Sequence, residues 1–281
     1  MRYNQGESIR NHYDLISPYY RSLWGPHIHH GFWKGGRETP AEAQQLLTEE
    51  LIARAGIGPG LTILDVGCGI GGSSIYLARN LGAKVTGITL SPIQVEMART
   101  AAESDGVDVS FRVMDAQNMS FAPDERFDCI WSIEAISHFH NKKEFFDRAS
   151  NLLVPGGLIA MTDWFGKKGL SDSARTEFLE PIERGMLIES NTLENYLQIM
   201  HEAGTVVQET GNLSENVAQT WDFCLDIIQD RSLWQTAHEL GEDFVHFLDS
   251  FAAMKRGYEA KALEYQLIIG RKPGPARTES G

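Results

Sequence analysis

The residues that first suggest chemistry form a glycine-rich turn directly after a short apolar run. The run ends at Asp65, and glycines at positions 67, 69, 71 and 72 are followed by the helix-like segment SIYLARNL. Such a turn lets the backbone approach a ligand closely, and the start of the next helix favours negative charge. The spacing Gly67-x-Gly69-x-x-Gly72 also matches the fingerprint of dinucleotide-binding proteins. The turn therefore predicts a ligand site, and the residues around it indicate which ligand binds there.

Two neighbouring positions argue against a dinucleotide. A dinucleotide site needs an acidic residue about 20 residues further on to hold a ribose, and the sequence has Thr89 at the corresponding strand end. Asp65 stands immediately before the turn, where a carboxylate would repel a pyrophosphate but suit a cationic amine. S-adenosylmethionine (SAM) carries an ammonium and a sulfonium and no phosphate. The turn therefore favours SAM, with a dehydrogenase as a distant alternative.

Histidines supply the candidates for proton transfer and for acceptor binding. His138 follows the fourth predicted strand, at the sheet edge where open α/β proteins bind ligands, so it is our candidate general base; the alternative is a packing histidine or a helix cap. His27, His29 and His30 suggest a metal site, but no carboxylate or cysteine clusters with them. We therefore expect no metal, and place these three histidines in an N-terminal latch and the acceptor pocket.

Alternating strand and helix signals position these residues. From residue 39 to 163, apolar strands such as LTILDV and KVTGITL alternate with helical segments, two of which begin with a capping residue and a proline, at Thr39-Pro40 and Ser91-Pro92. This alternation predicts an α/β fold with a mostly parallel sheet covered by helices on both faces. The predicted divisions are a latch and cap (1–38), the ligand-binding core (39–165), a completing region with a helical lid (166–256), a final strand (257–272) and a disordered tail (273–281). Within the completing region, residues 166–190 are expected to be polar and irregular with one helix, and residues 214–256 to be mostly helical.

Composition limits the partners of the chain. There are 25 Lys and Arg against 38 Asp and Glu among 281 residues, a formal net charge of -13, and no basic cluster, so we expect no nucleic-acid partner. Cys68, Cys129 and Cys224 are widely spaced, which predicts buried thiols in a reducing compartment. A polar start and the lack of an apolar run near ~20 residues predict a cytoplasmic protein without integral membrane association. Monomer and homodimer both remain open.

Several motifs resemble those of one enzyme superfamily. ILDVGCGIGG resembles the first motif of class I SAM-dependent methyltransferases, and Asp115-Ala116 and LLVPGGLIAMTDW continue that resemblance over residues 60–165. The segments WGPHIHHGFW, GITLSPIQ, FDCIWSIEAISHF and IIGRKP resemble the γ-tocopherol methyltransferase group and its bacterial relatives, including sugar O-methyltransferases; sterol and phosphoethanolamine methyltransferases are similar in places. The resemblance implies a Rossmann-like class I methyltransferase fold with a seven-stranded, mostly parallel sheet and a helical lid.

The resemblance also implies roles for individual residues. Gly67 and Gly69 would approach the amino-acid end of the cofactor, with Asp65 holding the turn or the ammonium. The other implied cofactor contacts are the ribose (Thr89, Gln94), the adenine (Asp115, Ala116), the methionine part (Ser132, Glu134) and a latch over the cofactor (Tyr19 or Tyr20). The implied acceptor-binding residues are His27, His29, His30, Trp24 and Trp164. Asp115 has a second reading, as a carboxylate that caps its own loop.

The predicted activity is methyl transfer from SAM to a small hydrophobic or aromatic molecule. The methylated atom is left open between carbon, oxygen and nitrogen. The aromatic residues between positions 221 and 251 have partly helical spacing, which favours core packing over substrate contact. Two alternatives use the same cofactor site: a cyclase in which SAM is only structural, and a regulator that binds SAM without transferring a methyl group.

Overall fold

The computed structural model describes residues 5–274, without the side chains of residues 5, 20 and 22–24. The strands are β1 (Thr62–Val66), β2 (Lys84–Thr89), β3 (Val109–Val113), β4 (Phe127–Ile133), β5 (Leu153–Gly166), β6 (Val206–Asn212) and β7 (Leu263–Arg271). The helices are α1 (Gln5–Trp24), α2 (Pro40–Ala55), α3 (Gly72–Leu81), α4 (Pro92–Asp105), α5 (Lys142–Leu152), α6 (Asp172–Phe178), α7 (Glu180–Met186), α8 (Leu193–Glu202), α9 (Ser214–Val217), α10 (Thr220–Ile227), α11 (Arg231–Leu240) and α12 (Glu242–Glu259).

The seven strands form one sheet in the order β3-β2-β1-β4-β5-β7-β6. The first five strands pair in parallel, and β7 runs antiparallel to both β5 and β6. This arrangement confirms the predicted seven-stranded, mostly parallel sheet. In the register, Asp65 of β1 stands beside Gly87 of β2 and Trp131 of β4, so the ends of these three strands meet at one edge.

The two helix starts predicted at Thr39-Pro40 and Ser91-Pro92 are the starts of α2 and α4. Thr39 caps α2 in a capping box with Glu42, and Ser91 caps α4 by accepting a hydrogen bond from the Gln94 amide. Each cap accepts a hydrogen bond from a first-turn amide that has no acceptor within the helix. The proline that follows each cap has no N–H, but an N–H at that position would make no intrahelical hydrogen bond, so the helix is not weakened.

Two regions differ from the sequence-based reading. Residues 5–24 form a helix with Pro18 inside it, where only a latch was expected; its buried Ile9 and Ile16 pack inward. Residues 166–190, expected to be irregular with one helix, contain both α6 and α7. The mostly helical character predicted for residues 214–256 agrees with helices α9 to α12.

The core lies on both faces of the sheet. Trp131 and Tyr265 are fully buried on one face with the inner sides of α2, α7 and α12, and Phe127 and Phe145 are buried on the other. The three cysteines are buried free thiols. None of the helices among residues 5–274 is both long and apolar enough to cross a bilayer.

Candidate functional site

A cavity of about 760 Å³ opens at the carboxyl ends of β1, β2 and β4. Its lining includes Asp65, the glycine turn and Thr89, together with Asp115 and Ala116. The amino-terminal helix α1 contributes Gly6, Ile9 and Tyr13 to the lining, and residues 26–29 also border the cavity. The sheet edge thus brings together residues that the sequence scatters over more than 100 positions.

The glycine turn packs too closely against its neighbours to admit a side chain at Gly67 or Gly72. Gly67 has φ +72°, and a Cβ there would lie 2.3 Å from the Cβ of Ala135. A Cβ on Gly72 would lie 2.4 Å from the carbonyl oxygen of Pro26. Gly69 lies under Ile28 and also has positive φ. The turn is therefore a cradle of bare backbone between β4 and the segment that follows α1.

Asp65 is a buried carboxyl beside this cradle. It is 2% exposed, and its Oδ2 accepts a hydrogen bond of 2.5 Å from the Ser74 hydroxyl at the start of α3. Burial raises the pKa of Asp65 to about 7, against the smaller opposing effect of the Ser74 hydrogen bond. A cation placed beside it would favour the charged form.

A hydrogen-bonded chain ties α1 to the turn after β2. Thr89 Oγ1 donates to Gln94 Oε1 over 2.6 Å, and Gln94 Nε2 donates to Ser17 Oγ over 3.1 Å. Ser91 Oγ also donates to the carboxylate of Asp14. The two predicted ribose contacts thus border the cavity and anchor the amino-terminal helix over it.

The remaining predicted cofactor residues divide between the cavity and its supports. Asp115 lines the cavity and also caps its own loop, accepting from the Gln117 amide at 2.9 Å and from Asn118 at 2.8 Å. Ala116 lines the same wall. Ser132 donates to the Val66 carbonyl over 3.1 Å and so joins β4 to β1, and Glu134, two residues further on, borders the cavity.

Glu134 and His30 form a buried pair at the inner end of the cavity. Glu134 accepts from the His30 amide at 2.8 Å, from the Tyr265 hydroxyl at 2.7 Å and from His30 Nδ1 at 3.0 Å. Trp221 Nε1 donates to His30 Nε2 over 2.9 Å, and since an indole nitrogen only donates, the ring proton of His30 is on Nδ1. Burial raises the pKa of Glu134, and the hydrogen bonds from His30 and Tyr265 lower it. Three donors thus stabilise the Glu134 carboxylate, and the imidazole among them is neutral.

A second, apolar cavity of about 80 Å³ adjoins the first. Its wall is mostly aromatic and aliphatic, drawn from α1 and from the helices α10 to α12. The aromatic residues of the lid that line it are Trp221, Phe244, Phe247 and Phe251, which also belong to the core. Phe223, stacked on Trp33, and Trp234, bonded to the Ile228 carbonyl, serve packing. The residues that border both cavities are Tyr13, Ile28, His29, Glu134 and His138.

His138 and Tyr13 meet where the two cavities join. His138 Nδ1 lies 3.0 Å from the Leu187 carbonyl oxygen, so it carries the ring proton, and Nε2 accepts from the Tyr13 hydroxyl at 3.0 Å. Burial lowers the pKa of His138 to about 4, partly opposed by the Leu187 hydrogen bond. Burial also raises the pKa of Tyr13 above its ordinary value. Both groups are neutral near pH 7, and the basic nitrogen faces the junction.

The histidines after α1 bond to one another. His29 Nδ1 donates to the His30 carbonyl oxygen over 2.8 Å, so its Nε2 accepts from His27 Nδ1 at 3.1 Å. Burial lowers the pKa of both His27 and His29. Among the side chains that the structure describes, no group of three or more His, Cys, Asp and Glu is arranged to hold a metal ion.

The aromatic candidates near the site lie in different places. Trp164 and Tyr19 line the second cavity. Tyr20 and Trp24 belong to α1, but their side chains lie outside the described residues, as does the predicted disordered tail beyond residue 274. Sequence reasoning missed Tyr13 and Ser17; the spacing of His12, Tyr13, Ile16 and Tyr19 along one helical face was the available signal.

Comparisons with known proteins agree with this geometry. The chain matches the mycolic acid cyclopropane synthetase family over residues 2–259. It is 32% identical to the probable chloroplastic tocopherol O-methyltransferase of Oryza sativa subsp. japonica, over 95% of this chain and 78% of that protein. It is also 32% identical to the erythromycin 3''-O-methyltransferase of Saccharopolyspora erythraea, over 89% of this chain and 85% of that protein. The crystal structure of the [4+2]-cyclase SpnF superposes with a TM-score of 0.83 at 25% identity, covering 96% of each chain.

The chain belongs to the mycolic acid cyclopropane synthetase family. It is a SAM-dependent methyltransferase that acts on a small molecule, and SAM is its cofactor. These findings confirm the predicted superfamily and cofactor, and they favour methyl transfer over the alternatives.

Proposed function

We propose that this methyltransferase methylates a hydroxyl oxygen of a neutral, largely apolar small molecule held in the second cavity. The observation that carries the proposal is the junction of the two cavities at the Tyr13–His138 pair. A hydroxyl acceptor must lose its proton as it is methylated, and the junction holds a neutral histidine with an accepting nitrogen. The proton of the acceptor hydroxyl passes to the Tyr13 oxygen while Tyr13 passes its own proton to His138 Nε2.

The lining of the second cavity supports the acceptor class. Among the described residues that line it, none is lysine or arginine, so the wall offers no partner for a phosphate or carboxylate. Trp221, Phe244 and Phe251 offer aromatic surface instead. Two relatives are named as O-methyltransferases, of tocopherol and of erythromycin, which agrees with an oxygen acceptor.

The residues of the first cavity fit the cofactor. The bare-backbone cradle at Gly67 and Gly69 accepts its amino-acid end, and the ionised Glu134, which faces a neutral His30, lacks a balancing protein charge within that pair. We assign Asp65 to the ammonium, Thr89 and Gln94 to the ribose, and Asp115 with Ala116 to the adenine. When bound, the cofactor supplies an electrophilic methyl group on a positively charged sulfur.

The protein contributes to this reaction by aligning the cofactor and the acceptor and by excluding water from them. The amino-terminal helix α1 covers the first cavity with Ile9 and Tyr13 and the second with Ile16 and Tyr19. Holding two reactants in line supplies about 7–11 kcal/mol in well-oriented systems. Excluding water also prevents solvation of the acceptor oxygen. We further propose that the enzyme works in the cytoplasm as a monomer or homodimer, in keeping with its buried free thiols.

The test is transfer of labelled methyl from SAM to a panel of phenols, terpenoid alcohols and amines. The proposal expects phenols and alcohols to be methylated on oxygen, and the product to be resolved by mass spectrometry. Methylation on nitrogen or carbon alone would overturn the choice of atom. Tight SAM binding without any transfer would favour the cyclase or the regulator.

A further inference from the structure

Trp164 presents a buried hydrogen-bond donor without a partner. It lies near the end of β5, where its backbone amide donates to its neighbour Asp163 Oδ1 over 2.9 Å. The indole is 8% exposed and lines the second cavity, yet no acceptor in the described residues lies within hydrogen-bond reach of its Nε1. An unsatisfied buried donor costs about 1–3 kcal/mol. When such a donor lies in the wall of a binding cavity, a ligand atom that accepts its hydrogen bond removes this cost.

The indole N–H groups of the other described tryptophans provide the comparison. The indole nitrogens of Trp33, Trp221 and Trp234 donate to the Glu38 carbonyl, to His30 Nε2 and to the Ile228 carbonyl. Trp131 also lacks a partner for Nε1, but it is fully buried in the core under the sheet. Trp164 therefore combines an unpaired indole N–H with a place in a cavity wall.

The nearest polar ring offers no partner for this donor. The His30 ring lies 5.5 Å from the Trp164 ring, centroid to centroid. Its Nδ1 donates to Glu134 and its Nε2 accepts from Trp221, so both nitrogens of His30 are engaged. The described residues therefore leave the indole N–H of Trp164 without an acceptor.

We propose that the Trp164 indole N–H donates a hydrogen bond to an oxygen atom of the bound acceptor, and so selects oxygen-bearing molecules over hydrocarbons of the same shape. The inference rests on the proposed function in taking the second cavity as the acceptor site. Trp164 is on this view a specificity-determining residue: it recognises the acceptor, while Tyr13 and His138 handle its proton.

The test compares anisole with ethylbenzene, which have nearly the same shape and differ by an ether oxygen in place of a methylene. Neither can be methylated, so binding to the full chain saturated with S-adenosylhomocysteine is measured separately from catalysis. The ratio of the two dissociation constants should shift by about three- to tenfold against anisole in Trp164→Phe, and stay at the wild-type value in Trp131→Phe. An unchanged ratio in Trp164→Phe overturns the proposal, and so does a failure of both probes to bind the wild type.

A spectroscopic measurement on the wild type covers the case in which a variant does not fold. With ¹⁵N-labelled indoles, the Trp164 N–H proton should move downfield on adding anisole and not on adding ethylbenzene, with Trp131 as the internal reference. Equal responses to both probes overturn the proposal. If these results hold while no hydroxyl is methylated, the donor assignment stands and the proposed reaction fails.

Discussion

The carboxylate of Glu134 and the imidazole of His30 are paired at 3.0 Å in the interior, with the imidazole neutral because Trp221 donates to its other nitrogen. Three donors stabilise the carboxylate, but no positive charge on His30 balances it. A buried charge without a counter-ion is costly, and a cationic ligand at this place lowers that cost.

Glu134→Gln should therefore weaken binding of SAM more than binding of S-adenosylhomocysteine. The substitution keeps the size of the side chain and removes the charge, and only SAM has a positive sulfur. At an effective dielectric constant of about 20, one charge about 6–12 Å away is worth about 10- to 100-fold in affinity. Calorimetry with the two ligands measures the difference. Equal losses for both would show that Glu134 acts on shape and not through its charge.

The affinity for the cofactor should rise with pH up to about pH 7. Burial raises the pKa of Asp65 to about 7, so at lower pH the ammonium of the ligand must expel a proton from this carboxyl. Above that pKa the carboxylate is already formed and the affinity levels off. Binding near pH 6 should release protons, which calorimetry in buffers of different ionisation enthalpy detects. Asp65→Asn should bind more weakly and lose this pH dependence; a variant that keeps it would disprove the assignment.

His138→Ala should slow methyl transfer by about 100-fold or more, because it removes the base at the junction. Tyr13→Phe should also slow transfer, since the phenolic oxygen relays the proton, and both variants should retain most of their cofactor affinity. His201→Ala, an exposed position at the end of α8, is the control.

The pH profile of kcat gives an independent check on His138. Burial lowers its pKa to about 4, so the neutral form that accepts a proton persists as the pH falls through 6.5. We expect no loss of kcat at pH 6.5 from this group. An acid limb at that pH in the wild type, absent from His138→Gln, would contradict the buried, neutral histidine.

Gly67→Ala should destabilise the protein and abolish cofactor binding. A Cβ at this position lies 2.3 Å from Ala135, and φ is +72°. Gly56→Ala is a matched control, because φ is +63° and nothing lies within 4 Å of its Cβ. We expect about 1–2 kcal/mol lost in the control from backbone strain, and about 1–3 kcal/mol more in Gly67→Ala from overpacking. Equal losses in urea unfolding would mean that the cradle can expand.

Local signals predicted the sheet and the floor of the site. The Ser91-Pro92 start, the glycine turn and the apolar strands each act through neighbours a few residues away, so periodicity and capping chemistry reveal them. The position of Thr89 at the cavity followed from the end of β2 in the same way, whereas the place of Asp115 came from the resemblance to methyltransferases.

The walls of the site depend on contacts that no local pattern encodes. Tyr13 meets His138 across 125 positions, and the His30 amide meets Glu134 across 104. The helix α1 escaped prediction because Pro18 and a polar first turn mask its periodicity, and its buried face is defined only by packing. The aromatic lid could be read as core or as substrate contact because, in the folded protein, Trp221 and Phe251 belong to the core and also line the second cavity.

Tyr13 of α1 borders both cavities, so a cofactor bound in the first cavity and an acceptor bound in the second both face this residue. If the bound cofactor shifts α1, the shift changes the shape of the wall that the acceptor contacts in the second cavity. By thermodynamic reciprocity, the factor by which the cofactor then changes the affinity for the acceptor equals the factor by which the acceptor changes the affinity for the cofactor. Tyr13 is thus the residue through which the amino-terminal helix faces the sites of both reactants.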